Sequence, residues 1–210
     1  MIKIQDFSNE LRKLVSPRGR PFICDGSPLE CNVFLIGANP ATEMSQPFWN
    51  FWSDTAGFDK EAWFSQYLAD RANTQLKTGK KRRNPISNTR QRLGWIIEEA
   101  NPVSCLETNV FSEATETLAE LGANQRSTQI FEFLVRQLTP LLLVPHGKDA
   151  RACIESLTGI ALPENEITGA NVLGHSLKVL PVSHLSRGWS QSAARELGVK
   201  IGKLVANEYT

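Results

Sequence analysis

Several features that assign chains to familiar classes are absent from these 210 residues. No run of 18 or more apolar residues occurs, so no membrane-spanning segment is expected. The first residues lack the apolar core of a signal peptide, which favours a cytoplasmic protein. The four cysteines form no C-x-x-C pair, which argues against a zinc knuckle or an iron–sulfur cluster. We therefore expect reduced, structural thiols, no metal and no cofactor.

An excess of one charge is also absent, since 23 basic and 22 acidic residues leave a formal net charge of +1. That balance neither demands nor excludes a nucleic-acid partner. The sequence has no G-x-S-x-G nucleophile elbow, no phosphate-binding loop of the G-x-x-x-x-G-K-[ST] type and no obvious pair of glycosidase carboxylates. Several routine enzyme classes are thereby excluded. The length and a hydrophobic content of 41% fit a single domain over residues 1–210, expected as a monomer.

What the chain does contain is a regular alternation of predicted strands and helices. Short, continuous apolar runs predict buried strands at residues 33–36, 106–111, 141–145 and 177–182. Such runs are typical of a parallel sheet covered on both faces. Amphipathic patterns predict helices at residues 89–100, 125–138, 148–157 and 191–206. We therefore predict an α/β protein, a three-layer α/β/α sandwich around a central, mainly parallel four-stranded sheet.

The first predicted strand runs into a loop at residues 37–42, which reads Gly-Ala-Asn-Pro-Ala-Thr. Gly37 lets the chain turn sharply or lets a ligand approach the backbone, and Pro40 stiffens the loop. Asn39 can present its backbone carbonyl and its side-chain amide to a small ligand or a water. The alternative is an ordinary turn, because Gly, Asn and Pro are common turn residues.

An aromatic cluster follows this loop. Phe48 and Phe51 are its members closest to the loop, so one of them could form a flat floor for a planar ligand. The alternative for each is packing in the core, which is the usual place of large aromatic side chains.

The last predicted strand runs into a second loop at residues 183–188, which reads Ser-His-Leu-Ser-Arg-Gly. Ligands of open parallel sheets bind beyond the carboxyl ends of the strands, so this position favours a functional role for His184. A structural histidine is the alternative. His146, directly after the third predicted strand, is the second candidate to line the same crevice.

The segment 74–92 is the one compositional anomaly, because it carries seven basic residues and no acid. Gly, Asn, Pro and Ser make its first part a predicted loop. Phosphate contacts are one interpretation; a solvated surface loop is the other.

Together these segments resemble the uracil-DNA glycosylase superfamily. Its first motif, Gly-x-Asn-Pro-Gly after the first strand, is similar to Gly37-Ala38-Asn39-Pro40-Ala41, and its last motif, His-Pro-Ser, is similar to His184-Leu185-Ser186. The family's middle Asn, which ends a strand, looks like Asn109. Residues 140–150 look like the strand, glycine and helix that precede the last motif. The resemblance covers about residues 30–205 and is nearest to the mismatch-specific and single-strand-selective branches, which have Asn in the first motif.

The chain departs from the family at three points. Ala41 replaces the usual Gly, Leu185 replaces the usual Pro, and neither Ala38 nor Asn39 supplies the acid with which other branches activate water. The missing acid indicates a slower enzyme or one that acts on a different base.

The resemblance implies a DNA glycosylase that flips a nucleotide out of DNA and hydrolyses the N-glycosidic bond of uracil or a related deaminated or damaged base. His184 would donate a hydrogen bond to the departing base and Asn39 would position the attacking water, so these are the expected catalytic residues. The expected substrate-binding residues, with a phenylalanine stacked on the base and an amide reading its edge, are Gly37, Ala38, Pro40, Phe48, Phe51 and Asn109. The residues expected to contact DNA are Lys80, Lys81, Arg82, Arg83, Leu185, Ser186 and Arg187. Of these, Leu185 and Arg187 are candidates to wedge into the gap that the flipped nucleotide leaves.

Other interpretations stay open at this stage. One is a nucleotide or nucleoside hydrolase on the same fold. Another is a non-catalytic protein that binds damaged or single-stranded DNA, which the substitutions at Ala41 and Leu185 would allow. A purely structural module is the third.

Overall fold

The computed structural model describes residues 2–76, 78–79 and 81–207. The strands are β1 (Phe22–Ile23), β2 (Val33–Gly37), β3 (Trp52–Ser53), β4 (Gly57–Phe58), β5 (Cys105–Asn109), β6 (Leu142–Pro145), β7 (Thr168–Val172) and β8 (His175–Val179). The helices are α1 (Ile4–Arg12), α2 (Lys60–Asn73), α3 (Asn88–Ala100), α4 (Gln129–Leu138), α5 (Lys148–Thr158) and α6 (Gln191–Ala206).

The central sheet has six strands in the order β1-β5-β2-β6-β8-β7. The four inner strands are parallel to one another, while β1 and β7 pair antiparallel at the two edges. β3 and β4 form a separate small hairpin. The predicted α/β fold with a mainly parallel sheet is confirmed, but the predicted count of four strands is wrong, because it leaves out both antiparallel edge strands.

Alternating side chains of the inner strands divide the interior into two cores. Phe34 and Ile36 of β2 point into the core shared with α1, α2, α4 and α5. Val33 and Leu35 point into the core shared with α3 and α6. Helices therefore cover both faces of the sheet, which explains why the inner strands are apolar throughout rather than alternating.

Side-chain caps and glycine place the two helices that support the site. The Ser87 hydroxyl accepts a hydrogen bond from Arg90 N–H at the start of α3, and the Ser190 hydroxyl accepts one from Ala193 N–H at the start of α6. The helices cross at Gly198, where a Cβ atom would overlap the backbone oxygen of Ile96. Only a residue without a side chain allows α6 to approach α3 this closely.

None of these helices could serve as a membrane span: within the described residues, no helix combines the length and the apolar character that crossing a bilayer requires.

Candidate functional site

The two loops singled out in the sequence meet at the carboxyl ends of the inner strands. Gly37 at the end of β2 is paired in register with Asn109 at the end of β5. His146, just beyond β6, forms a bridge with Val182, which precedes the second loop. These chain segments surround a crevice of about 460 Å³, at the place where open parallel sheets bind their ligands.

Gly37 brings two polar side chains against the backbone. A Cβ atom at this position would lie 2.6 Å from Asn109 Oδ1 and 3.2 Å from His146 Cε1 and Nε2. A side chain at position 37 would therefore displace Asn109 Oδ1 and press on the His146 ring. The glycine is needed for the close approach rather than for an unusual backbone angle.

Gly147 has the same role for His184. Its φ of +87° disfavours any residue with a side chain, and a Cβ atom there would lie 2.7 Å from His184 Cδ2. The His184 ring consequently rests on bare backbone. Its centroid is 5.4 Å from that of His146, and the two rings meet edge to face.

The hydrogen bonding of His184 defines its tautomer. The Ser186 N–H donates to His184 Nδ1 over 3.1 Å, so Nδ1 acts as an acceptor and the proton of the neutral ring lies on Nε2. Burial lowers the pKa of His184; the charge of Asp149 raises this pKa and that of Arg187 lowers it. The ring is thus a neutral imidazole at neutral pH, with an Nε2–H donor.

His146 lies deeper in the crevice and is only 7% exposed. Burial first, and then the charges of His184 and Arg90, lower the pKa of His146 to about 3. Its Nδ1 is buried and has no hydrogen-bond partner among the described residues. His146 is therefore a neutral ring whose Nδ1 is not engaged by the described part of the chain.

Asn39 faces the same crevice in a defined orientation. Its Nδ2 donates to the backbone oxygen of Thr115 at 3.0 Å and to the hydroxyl of Thr115 at 2.8 Å. Because the amide nitrogen is engaged in this way, Oδ1 is the atom left to accept a hydrogen bond. The first loop is tied to the same segment, since Thr115 N–H donates to the oxygen of Pro40.

Arg92 of α3 anchors the second loop by hydrogen bonds to its backbone. Its guanidinium donates to the carbonyl oxygens of Leu185 at 2.9 Å, Ser186 at 3.1 Å and Trp189 at 2.9 Å. The Asn88 side chain also donates to the Ser186 oxygen. The loop that carries His184 is thereby attached to a helix instead of depending on its own turn.

A charged cluster also borders the crevice. Glu107 of β5 is 5% exposed and forms ion pairs with Arg90 and, at 3.6 Å, with Lys60. Arg20 and Arg90 both lie over the ring of Trp63, at 5.8 Å and 4.9 Å from its centroid. Glu107 thus pairs with Arg90 and Lys60, while Arg20 lies over the same indole ring as Arg90.

The structure does not bring all the expected substrate-binding residues to the crevice. Ala38, Asn39, Pro40 and Asn109 line the crevice. Gly37 lies behind them, in register with Asn109 and in close contact with its side chain. Phe48 and Phe51, however, line a neighbouring groove of about 1140 Å³.

These two phenylalanines are 5% and 7% exposed and belong to the aromatic core. Phe48 packs parallel to Phe58 with their centroids 5.2 Å apart. The phenylalanine that does line the crevice is Phe22 of β1.

Of the residues expected to contact DNA, some are exposed and others are buried or engaged within the protein. Lys81 and Arg82 are exposed, Arg83 donates to the Gln75 oxygen, and Lys80 lies outside the described residues. In the second loop, Leu185 is only 2% exposed and packs in the core with α3 and α6. In this conformation Leu185 is not available as a wedge, whereas Arg187 is exposed and Ser186 is half-buried.

Several residues of the crevice are missed or underrated by sequence reasoning. In the sequence, His146 ranks behind His184 as a candidate, although its position directly after a strand is a usable signal. Arg90 and Arg92 belong to the basic segment 74–92, but in the structure Arg90 pairs with Glu107 and Arg92 donates to carbonyl oxygens of the second loop. Arg20, Phe22 and Glu107 carry no local signal, because only the folded sheet brings them to the crevice.

The structure offers little that would hold a metal ion. No group of three or more His, Cys, Asp or Glu side chains in residues 2–76, 78–79 and 81–207 is arranged for that purpose. The four cysteines are free thiols, three of them buried. Comparison of the chain with models of protein families and with curated proteins finds no match in either set, so the function has to be argued from the crevice.

Proposed function

We propose that this protein is a DNA glycosylase that hydrolyses the N-glycosidic bond of uracil or a related deaminated or damaged base. The observation that carries the proposal is the convergence of Asn39, Asn109 and His184 on one crevice. An amide that accepts from a water, an amide that reads a polar edge and a neutral imidazole that donates are the groups this reaction needs. The motif resemblance of the two loops supports the same conclusion.

His184 acts on the departing base. Breaking the glycosidic bond moves negative charge onto the base and positive charge onto the sugar, so a donor at the base lowers the barrier. The Ser186 N–H bond to Nδ1 leaves Nε2–H as that donor. One preorganised donor of this kind contributes about 2.7–4 kcal/mol.

Asn39 positions the attacking water. Because Thr115 engages its nitrogen, Oδ1 accepts a hydrogen bond from the water and orients it towards the sugar. An amide is no general base, so its contribution is orientation. The missing acid in the first loop thus favours a slow reaction.

Asn109 selects the base. Its amide offers both a donor and an acceptor to the edge of a flipped base. A pocket that pairs those groups rejects bases that leave them unpaired. Phe22 is among the residues that line the crevice, but it is 1% exposed and packs in the same aromatic core as Phe48 and Phe51, so we assign no phenylalanine to stack on the base.

The decisive experiment is a panel of oligonucleotides that contain uracil, hypoxanthine or xanthine, single- and double-stranded, with abasic sites detected by alkaline cleavage. We expect base release from at least one member, and a rate lowered about 100-fold or more by His184→Ala. Asn39→Ala should also slow release. Both variants should remain folded, with a lower urea midpoint for Asn39→Ala because it loses the hydrogen bonds to Thr115.

Other results would point elsewhere. Cleavage of free nucleotides or nucleosides without base release from DNA would identify a small-molecule hydrolase. Tight DNA binding without abasic product would identify a non-catalytic reader. No release from any member of the panel would end the glycosylase proposal in this form.

A further inference from the structure

Among the described residues, Arg20 forms no ion pair and no side-chain hydrogen bond, although it lines the crevice. The other arginines that line the crevice or the adjoining groove each bind within the protein: Arg18 to Glu43, Arg71 to the carbonyls of Asn84 and Pro85, Arg83 to that of Gln75, and Arg90 to Glu107. Arg20 is therefore the guanidinium of this region whose donors remain available to a ligand.

The surroundings of Arg20 make this unusual. Burial, and then the charge of Arg90, lower the pKa of Arg20 to about 10, against opposing effects of Glu107 and Tyr67. Glu107 binds Arg90 through Oε2, and its Oε1 lies 3.6 Å from Lys60 and accepts no hydrogen bond from the described residues, so Glu107 gives Arg20 an electrostatic neighbour but no ion pair. A largely enclosed guanidinium beside a second guanidinium is unfavourable unless an anion joins them.

The position of Arg20 indicates where such an anion would come from. Arg20 lines both the crevice and the groove, so it stands where the two meet. Its planar fork of N–H donors suits a phosphate or a carboxylate. The crevice beside it offers Asn109 and His184, which suit a nucleobase, and a nucleotide carries base and phosphate in one ligand.

We propose that Arg20 binds a phosphate group of the nucleotide whose base enters the crevice. The choice of phosphate rests on the proposed function, since it takes the crevice to be a nucleobase site. The phosphate belongs either to the DNA backbone next to the flipped nucleotide or to a free mononucleotide.

The test compares the parent protein with Arg20→Gln in binding alone, without turnover. A single-stranded oligonucleotide with one deoxyuridine carries a neutral methylphosphonate at each neighbouring phosphate in turn. In the parent protein, one position should weaken binding about 10-fold. In Arg20→Gln the same position should have no effect, because the charged partner has been removed.

A second arm identifies a free phosphate. Deoxyuridine 5′-monophosphate is compared with deoxyuridine, and inorganic phosphate with chloride at equal ionic strength. If the phosphate is that of a free nucleotide, the parent protein should prefer the phosphate-bearing ligand and Arg20→Gln should lack that preference. Coupling in the first arm assigns the DNA backbone; coupling only in the second assigns a mononucleotide.

Arg18→Gln is the matched control, since Arg18 lines only the groove and pairs with Glu43; it should keep both effects. Arg20→Gln should leave stability to urea unchanged or higher, because it removes a half-buried cation that forms no ion pair with the described residues. The proposal is overturned if neither arm differs between the parent protein and Arg20→Gln. Phosphate coupling without base release would retain this site and reject the glycosylase; the reverse result would do the opposite.

Discussion

The rings of His146 and His184 are in contact, but the surrounding charges affect their pKa values differently. His184 sits at the mouth, where Asp149 partly offsets the effects of burial and Arg187 on its pKa. His146 is enclosed, and the charge effects on it come from His184 and Arg90, both unfavourable to a proton. Protonation of His146 is therefore coupled to unfolding.

This coupling predicts a pH dependence of stability. The pKa of His146 is about 3 in the folded protein against 6.5 for the unperturbed group. Between these values the unfolded chain binds the extra proton, so stability is fully present above pH 6.5 and falls as the pH is lowered towards 3. The slope is up to about 1.4 kcal/mol per pH unit. Urea unfolding of the parent protein and of His146→Gln at several pH values should diverge in this window; parallel profiles would contradict the prediction.

At the scale of elements, α3 is the support of the second loop. Arg92 reaches from α3 to three carbonyl oxygens of that loop, and Ser87 caps the same helix. The helix therefore transmits its position to His184. A lysine could not replace Arg92, because a single ammonium cannot match the planar fork that spans these oxygens.

Arg92→Gln should lower the rate of base release about 10-fold by freeing the loop, with most of the effect in kcat. Its informative form is a double-mutant cycle with His184→Ala. If Arg92 acts only through His184, adding Arg92→Gln to His184→Ala should change the rate no further. Additive effects would instead show that Arg92 has a separate role, such as a direct contact with DNA.

The elements show what the sequence can and cannot reveal. Predicted strands 33–36 and 141–145 match β2 and β6 to within one residue, because continuous apolar runs mark inner strands. The run at 177–182 overshoots β8, since Leu180 and Val182 are buried beyond the ladder.

The edge strands carry weaker signals. β1 has only two residues. β7 and β8 are joined by Leu173 and Gly174, both with positive φ. Because Asn, Asp or Gly usually occupies such a position, a leucine there gives no sequence signal for a hairpin.

The same distinction holds for the site. Asn39, Asn109 and His184 are recognisable in the sequence because each ends or follows an inner strand. Phe48 and Phe51 line the neighbouring groove with Ala41 and Thr42 and pack in the same core as Phe22, and of these three phenylalanines only Phe22 is among the residues that line the crevice. Phe22 reaches the crevice because β1 pairs with β5. That pairing joins residues far apart in the chain, so no local sequence pattern predicts it.

On the scale of the whole molecule, a nearly neutral chain concentrates part of its positive charge on one segment. Arg90 and Arg92 of that segment bind inside the protein, whereas Lys81 and Arg82 are exposed ahead of the start of α3. Within this segment, the exposed charges are the ones free to neutralise phosphates and so to release counterions from DNA.

Lys81→Ala with Arg82→Ala should weaken DNA binding and lower the slope of log K against log salt concentration. The decrease should be about 0.7–0.9 for each phosphate that these side chains neutralise in the parent complex. The measurement is a titration at several salt concentrations. Lys203→Ala, on the last turn of α6, is a single-charge control away from this segment and should leave the slope unchanged. An unchanged slope in the double variant would remove this segment from the interface.

Gly198 connects the interior to the crevice over a long distance. It lets α6 lie on the backbone of α3, and α3 in turn carries the arginine that steadies the imidazole loop. A bulkier residue at position 198 would shift α3 and slow turnover without touching the ligand. Genetic screens would then find an inactive allele in the protein's interior, and truncation of a side chain on α3 would not suppress it, because the nearest obstacle is the backbone oxygen of Ile96.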